Sequence, residues 1–589
     1  MNSYFINIGH KIAPRSNEKY DTFSNFFSTA SDYTFKFKQV TENCVRKAFN
    51  ELKSKETKDV DGLSTKLLKQ LSGILYKPIA LIINQSLGTG IFPDQLKIAK
   101  VHPIHKRNDL DLNTLNNYRP ISILPCISKI FERIIYNQLY EYFNSHDLLY
   151  ESQYGFRLDH STEFAAIELT NRIHDHLSNG FNPIVVYMDL SKAFDTLNHD
   201  ILVNKLKHYG VNNTELNWFI SYLSNRFQYV TYNNKCSALK KIATGVPQGS
   251  ILGPLLFLIY VNDLPSISDL KIIQYADDTC IVIPYKNSSD HNKLQLSAKK
   301  INDKLNIIYS WLAANKLSLN INKTKYTIFH YKQKKINAHP KIEINHINLL
   351  SVDHFKFLGI FIDDTLSWDV HINYISNKLS KTIGLLSKLK TFFPKYILLN
   401  IYNALILSHI NYGITCWAFG QCNRIETLQK RAIRIINKSL PYKSHTIPIC
   451  KQLKILLFRD LFDLATLKFY YKLLNKLLPK YFLCNDFIKP YHPLRMNLRK
   501  TKPTLFPNYV TESVNYRPDY YISRNNKTSS DSRLSIHIAM LLNKKYFPKC
   551  VIDKLSTHSI NGISIYFKKY TIDNYDPICR ILNCFICNE

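Results

Sequence analysis

The apolar residues of this chain change period several times, and each change marks an element. Over "VTENCVRKAFNELK", residues 40 to 53, Val45, Ala48, Phe49 and Leu52 recur at helical spacing behind Thr41, a side chain suited to an N-cap, so the pattern predicts an amphipathic helix. A second apolar pattern runs from Leu67 to Leu87; Gly88 and Gly90 then mark a turn, and "FPDQLKIAKVHPIHK" predicts an extended pair leading into a basic hairpin. Beyond Pro120, "ILPCISKIFERIIYNQLYEYF" puts Ile127, Ile130, Phe131, Ile134, Ile135, Leu139 and Phe143 on one broad helical face. "NPIVVYMDLSKAFDTLNHDILVNKLKHYG" changes period midway, from an apolar strand reaching Leu190 to a helix through Leu197, Ile201, Leu202 and Leu206 that stops near Gly210. The strand-then-helix alternation continues to residue 330 and closes on "HFKFLGIFID", a strand run broken by Gly359. From Trp368 to Leu389 the positions Ile372, Ile375, Leu379, Ile383, Leu386 and Leu389 predict a long helix. Its other face carries Lys378, Lys381 and Lys388, either simply solvated or able to follow a nucleic-acid backbone. Residues 500 to 535 are polar, with "SRNNKTSSDSR" the best linker candidate.

One run breaks the apolar logic of its surroundings. "QYADDTCIVI", residues 274 to 283, sets two aspartates side by side inside a β-prone stretch. In a hairpin with Ala276, Asp277 and Asp278 at its tip, both carboxylates leave one tight turn. Asp189, ending "PIVVYMD" on the face shared by Val185 and Tyr187, is available as a third. Three such groups repel one another unless divalent cations neutralise them, and hard oxygen donors suit magnesium. Two such ions stabilise the attacking and leaving oxygens of an in-line phosphoryl transfer. The plainer reading of Asp277 and Asp278 is as turn residues, a position aspartate favours.

Charge narrows the partner. The 589 residues carry 77 Lys and Arg against 45 Asp and Glu, a formal charge of +32 spread through much of the length, so a polyanion is the natural partner and nucleic acid the first choice. Twelve cysteines without a disulfide-like rhythm, and no secretory leader at Met1, fit a reducing interior, nucleus or cytoplasm. One Cys-x-x-Cys pair near the end, Cys584 and Cys587 beside Cys579, lacks a second pair and is a weak zinc candidate. The longest apolar stretches are short or broken by Asn, Ser and His and read as core, so no membrane partner is expected.

The ordered strings "NYRPISILPCISKIFERII", "QYGFRLDHST", "VVYMDLSKAFDTLNHDIL", "GVPQGSILGPLLFLIYVNDL", "QYADD", "NKLSLNINKTKY" and "FKFLGIFID" resemble the reverse transcriptase of non-LTR, jockey-like retrotransposons. The resemblance implies roles position by position. Asp189, Asp277 and Asp278 correspond to the catalytic metal ligands for two Mg²⁺, with Mn²⁺ a substitute. Phe194 corresponds to the steric gate against a ribose 2′-hydroxyl, a reading that agrees with the clash and lost pairing a flat wall would impose. Gln248 in "GVPQGS" would lie against template and incoming nucleotide, with Gly245 and Gly249 permitting close approach. Lys106 and Arg119 resemble the fingers cations of the triphosphate pocket, and Arg157 is a candidate for that pocket or for a template phosphate. Lys323 sits where a lysine could protonate the leaving pyrophosphate. Phe357, Leu358 and Gly359 resemble the primer grip. Asp195 and His199 read as structural.

The implied fold is α+β: a right-hand polymerase with a mostly antiparallel palm sheet. Expected bounds are an N-terminal helical linker over 1–83, fingers and palm over 84–362, a helical thumb over 363–440, and a helical C-terminal region of open role over 441–589. The implied reaction is RNA-directed DNA synthesis, with RNA template, DNA primer and deoxynucleoside triphosphates as partners. Elements of this kind usually carry an endonuclease, yet the stretch ahead of the fingers shows no Asp/Glu/His constellation and "NSYFINIGHKIA" resembles the linker that follows such a domain. A truncated reading frame is the expectation, with nicking supplied in trans. Two alternatives stand beside it: a decayed or domesticated copy that binds RNA without copying it, and a group II intron-type maturase, which shares "YADD" but not "SKAFDTLNH" or "RAIRII".

Overall fold

The computed structural model describes residues 1–12, 23–27, 32–107, 109–334, 336, 339–438, 445–484 and 559–573. The polar stretch at 500–535 and the cysteines near residue 587 lie outside the described residues.

At the centre is a five-stranded sheet. Strand Ile184–Met188 pairs antiparallel with Asp278–Ile283 on one side and with Lys325–Ile328 on the other; Lys271–Tyr275 extends it beyond Asp278–Ile283, and the short Leu350–Ser351 pairs parallel with Lys325–Ile328. The sheet separates two hydrophobic cores. Ile184, Val186 and Met188 enter one, while Val185 and Tyr187 enter the other. All five strand residues are buried, which is why the run is apolar throughout instead of alternating with polar positions.

The first core is built from the helices the periodicity predicts. Helix Glu42–Glu51 starts at Thr41, whose hydroxyl accepts from the Cys44 N–H, and buries Val45, Ala48 and Phe49. Helix Ser72–Thr89 ends at Gly90, which takes φ +69°. Helix Cys126–Ser145 buries Ile130, Phe131, Ile134, Ile135, Leu139 and Phe143. The predicted helix after Asp189 is in fact two: a single turn, Ala193–Thr196, and then His199–His208. Asn198 causes the break, because its side chain caps the second helix by accepting from Ile201 N–H at 3.0 Å and leaves Leu197 as a connector.

A second sheet joins Ile98–His105 antiparallel to Tyr118–Ile123 and parallel to Arg226–Tyr232, which in turn pairs with Lys235–Cys236 and Lys240–Ile242. Helix Asn2–Ile12 lies on this sheet: Phe5 is buried with Val101, Tyr118 and Val230, and the Asn2 amide donates to Ala238 O at 2.8 Å.

The second core belongs to the sheet's other face. Helix Thr162–Ser178, hairpin His354–Phe357/Ile360–Asp363 and helix Asp369–Leu389 share it with Lys395–Tyr402, Asn423–Ile436 and Phe458–Leu474, and with residues of Ile560–Asp573. Ile372, Ile375, Leu379, Ile383 and Leu386 are buried there, as the spacing predicts. Lys381 and Lys388 are exposed, while Lys378 lies over the Tyr374 ring at 4.8 Å. Asp363 ties the hairpin to the long helix, accepting from the backbone N–H of Ser367 and of Trp368 at 2.7 Å each. Among the described residues no helix is long and apolar enough to cross a membrane.

Candidate active site

The two acid-bearing stretches meet because their strands are neighbours. Met188 stands opposite Thr279 in the antiparallel register, so Asp189 leaves the end of its strand beside Asp278. The hairpin closes with Tyr275 opposite Asp278, leaving Ala276 and Asp277 as its turn. Ala276 takes φ +56°, a left-handed conformation that costs alanine on the order of 1–2 kcal/mol.

The electrostatics bear the marks of crowded carboxylates. Burial and then the Asp277 and Asp189 charges push Asp278 up to about 6, although its side chain opens to solvent at one edge. Asp277 is raised as well, chiefly by burial, with Asp189 adding and Arg119 and Lys323 opposing. Lys323 Nζ donates to Asp189 Oδ2 at 3.2 Å. Among the described residues no group of three or more His, Cys, Asp or Glu side chains is arranged to hold a metal ion.

Cations face the acids from separate elements. Lys106 follows strand Ile98–His105, and its N–H donates to Asn117 O at 2.8 Å across the hairpin that carries Arg119. Burial lowers the Lys106 pKa, and Lys192, Lys323 and Arg119 lower it further. Lys192 itself, at φ +53°, is lowered by burial, with Arg119 and Lys323 again contributing and Asp195 opposing. Nothing about Lys192 in "LSKAFD" sets it apart from other lysines; its membership of this group comes from the fold.

The "GVPQGS" loop is packed against the Phe194–Asp195 turn. Val246 N–H donates to Phe194 O at 3.0 Å, and a Cβ on Gly245, which has φ +81°, would lie 2.8 Å from that oxygen. Gly249, at φ +138°, abuts the Ser122 carbonyl where a Cβ would collide. Gln248 Nε2 donates to Asp195 Oδ1 at 2.8 Å, while Asp195 Oδ2 is buried without a hydrogen-bond partner. Burial drives Asp195 up to about 6 against the pull of Gln248, Lys192 and Lys106. Asp195 therefore does more than begin a helix, since it holds the loop glutamine. His199 Nε2 stands 2.8 Å from Gly245 O and supports the same loop from below. The Phe194 ring stacks on Phe257 at 4.8 Å.

Arg157 Nη1 donates to the Tyr150 carbonyl at 2.7 Å, so its guanidinium is turned onto the backbone of its own loop. In the hairpin, Leu358 and Gly359 form the turn at φ +46° and +89°, whereas Phe357 is 2% exposed and packs in the second core. Phe355 stacks on Tyr187 with centroids 4.0 Å apart, so the hairpin sits directly on the acid-bearing sheet. A cavity of about 370 Å³ lies between them, lined by Asp189, Asp278, Lys323, Phe355, Lys356 and Leu358 among others.

Comparison with known proteins accords with this geometry. The reverse transcriptase (RNA-dependent DNA polymerase) family matches residues 104–362. A probable RNA-directed DNA polymerase from transposon BS of Drosophila melanogaster is 30% identical over 451 residues, covering 72% of this chain and 47% of the relative. The RNA-directed DNA polymerases from mobile element jockey of Drosophila melanogaster and Drosophila funebris are 27% and 26% identical over 71% of this chain and 46% of each relative. The chain thus spans about half the length of the curated relatives it matches. Residues 104–362 therefore form a reverse transcriptase domain, ending on the hairpin beside the acids, and over about 70% of its length the chain is similar to the RNA-directed DNA polymerases of the jockey-like non-LTR retrotransposons.

Proposed function

We propose that this chain is an RNA-directed DNA polymerase that extends a DNA primer on an RNA template with deoxynucleoside triphosphates. The observation that carries the reading is the meeting of Asp189, Asp277 and Asp278 with Lys106, Arg119 and Lys323, with Lys192 beside Arg119 and Lys323. The acids fit a pair of divalent ions. They offer only hard oxygen donors and disfavour one another's charge, and Mg²⁺ commonly takes one or two carboxylates and completes its shell with substrate phosphates. When bound, two Mg²⁺ or Mn²⁺ supply positive charge where the primer 3′-hydroxyl attacks the α-phosphate and where pyrophosphate departs.

The remaining work falls to side chains. Lys106 and Arg119 hold the triphosphate, one as a point charge and one as a planar fork, and Lys192 adds to the same field. Phe194, backed by Phe257, walls off a ribose 2′-hydroxyl. Gln248, anchored on Asp195, lies against the templating pair. Lys323 exchanges its contact with Asp189 for the leaving pyrophosphate, to which it delivers a proton. The Leu358–Gly359 turn, with Phe357 buried behind it, supports the primer end, and helix Asp369–Leu389 follows the backbone of the hybrid with its lysine face. In this reading 84–362 are fingers and palm and 363–440 the thumb. Arg157 holds its loop through the Tyr150 carbonyl, and the chain works in nucleus and cytoplasm.

The test is primer extension on an RNA template with Mg²⁺, run with deoxy- and ribonucleotides in parallel. The expected result is deoxynucleotide incorporation by wild type and none by Asp277→Asn. RNA binding without incorporation under either Mg²⁺ or Mn²⁺ would reject the reading in favour of a binding module.

A further inference from the structure

The segment Gln153–Phe156 carries no acid and no cation, yet it touches both the acid hairpin and the aromatic gate. Gln153 is 3% exposed and its amide is committed to the hairpin tip. Oε1 accepts from Ala276 N–H at 2.9 Å and from Gly155 N–H at 2.9 Å, while Nε2 donates to Ala276 O at 3.5 Å. The main chain joins in: Tyr154 N–H donates to Gln274 O at 2.7 Å, and Gln274 N–H to Ser152 O at 2.9 Å. Gly155 lies so close that an added Cβ would run into the Ala276 nitrogen. Ala276 is the residue held in the left-handed region at the tip of the hairpin that carries Asp277 and Asp278, a conformation alanine does not keep without outside support. The amide of Gln153 is that support.

The next residue serves the gate. Phe156 takes φ +55°, an outlier for a bulky side chain, and is 44% exposed. Its ring meets Phe194 edge-on at 6.0 Å and 89°, on a ring already stacked against Phe257. Phe194 is therefore fixed by two aromatic neighbours, one of them held in a strained turn.

We propose that Gln153 and Phe156 are positioning residues of one clamp: Gln153 sets where Asp277 and Asp278 stand relative to Asp189 by holding Ala276, and Phe156 sets the tilt of the Phe194 gate. The proposal rests on the polymerase reading of the acids and gate, and its test has arms that do not need polymerisation. In the full chain, hydrogen exchange of the 272–280 region and binding of Mn²⁺ alone, read from the free-ion EPR signal, are compared between wild type and Gln153→Met. The variant is expected to exchange faster at Ala276 and to bind Mn²⁺ roughly 10-fold more weakly, as loss of a group that orients ligands does, with melting close to wild type. Phe156→Ala is expected to leave both unchanged and to lower deoxy-over-ribo selectivity by roughly 10-fold. If Gln153→Met does not fold, Gly155→Ala displaces the same tip with the glutamine in place and is expected to give the same two losses. Unchanged exchange and Mn²⁺ binding in the Gln153 or Gly155 variant overturns the proposal, and so does unchanged sugar selectivity in Phe156→Ala. A wild type that incorporates no nucleotide defeats the polymerase reading and with it the gate role of Phe156, while the exchange and Mn²⁺ arms still decide the Gln153 half of the clamp.

Discussion

The acid corner and the basic corner of this site are built on opposite plans. Asp277 and Asp278 are adjacent in the chain and Asp189 reaches them through one strand pairing, so the acid corner rests on a single sheet register. Lys106 and Arg119 belong to one strand pairing, Lys192 comes from a left-handed turn and donates from Nζ to Tyr118 O at 3.4 Å beside Arg119, and Lys323 comes from the loop before Lys325–Ile328, so the basic corner is gathered from two sheets. On the proposed reading, acids that share ions would need close placement, which a β-ladder gives, whereas cations that steer a triphosphate would act through a field that falls off gradually and tolerate assembly from several elements.

The contrast makes ranked predictions. It is tested most severely at Asp189: Asp189→Asn is expected to cut the incorporation rate by ~10³-fold in single-turnover extension, since a charge-bearing group at the reacting centre has no substitute. A rate within a factor of ten of wild type would dissolve the distinction. Arg119→Ala should be milder, raising KM for the nucleotide by ~10- to 100-fold, the worth of a charge-assisted hydrogen bond, with kcat changing less. Lys192→Ala should cost less again because its neighbours share the field, and an effect as large as that of Asp189→Asn would show the basic corner to be as tightly specified as the acid one. Phe194→Val is expected to let ribonucleotides in, lowering sugar selectivity by ~10-fold or more in competition assays; unchanged selectivity removes the gate assignment.

The smallest effect concerns Asp195, the one acid on the basic side. Its carboxyl is raised to about 6 by burial, above the ordinary aspartate value near ~3.9. Between those values the native state holds the proton more tightly than the unfolded chain, so this group's contribution to stability is full below about pH 4 and is lost as pH rises through about 6. Thermal melts across that window should show the decline in wild type. Asp195→Asn should flatten it and raise Tm by a few degrees at pH 7, because Asn keeps an acceptor for Gln248 and removes a buried charge.

Most of the fold was legible in the sequence. The helices at 42–51, 126–145 and 369–389 follow their apolar spacing, and the strands at 184–188 and 278–283 follow their unbroken apolar runs. The misreading after Asp189 was a local one: Asn198 offered a cap that the apolar period of Leu197 and Ile201 concealed. The charge of Arg157 is visible in the sequence, whereas the Tyr150 carbonyl that accepts from its Nη1 is not.

Periodicity, caps and the paired aspartates are short-range features, dictated by sterics and backbone geometry within a few residues, and the chain alone therefore indicated its central strands, several of its helices and the three candidate acids. Only the tertiary structure decided that Lys192 joins the cations, that Asp195 holds Gln248 and that Gln153 grips a hairpin tip more than a hundred residues away. The reason is physical. What a charge or an amide does depends on what packing brings against it and how far that packing excludes water, and neither quantity is written at the position of the residue itself.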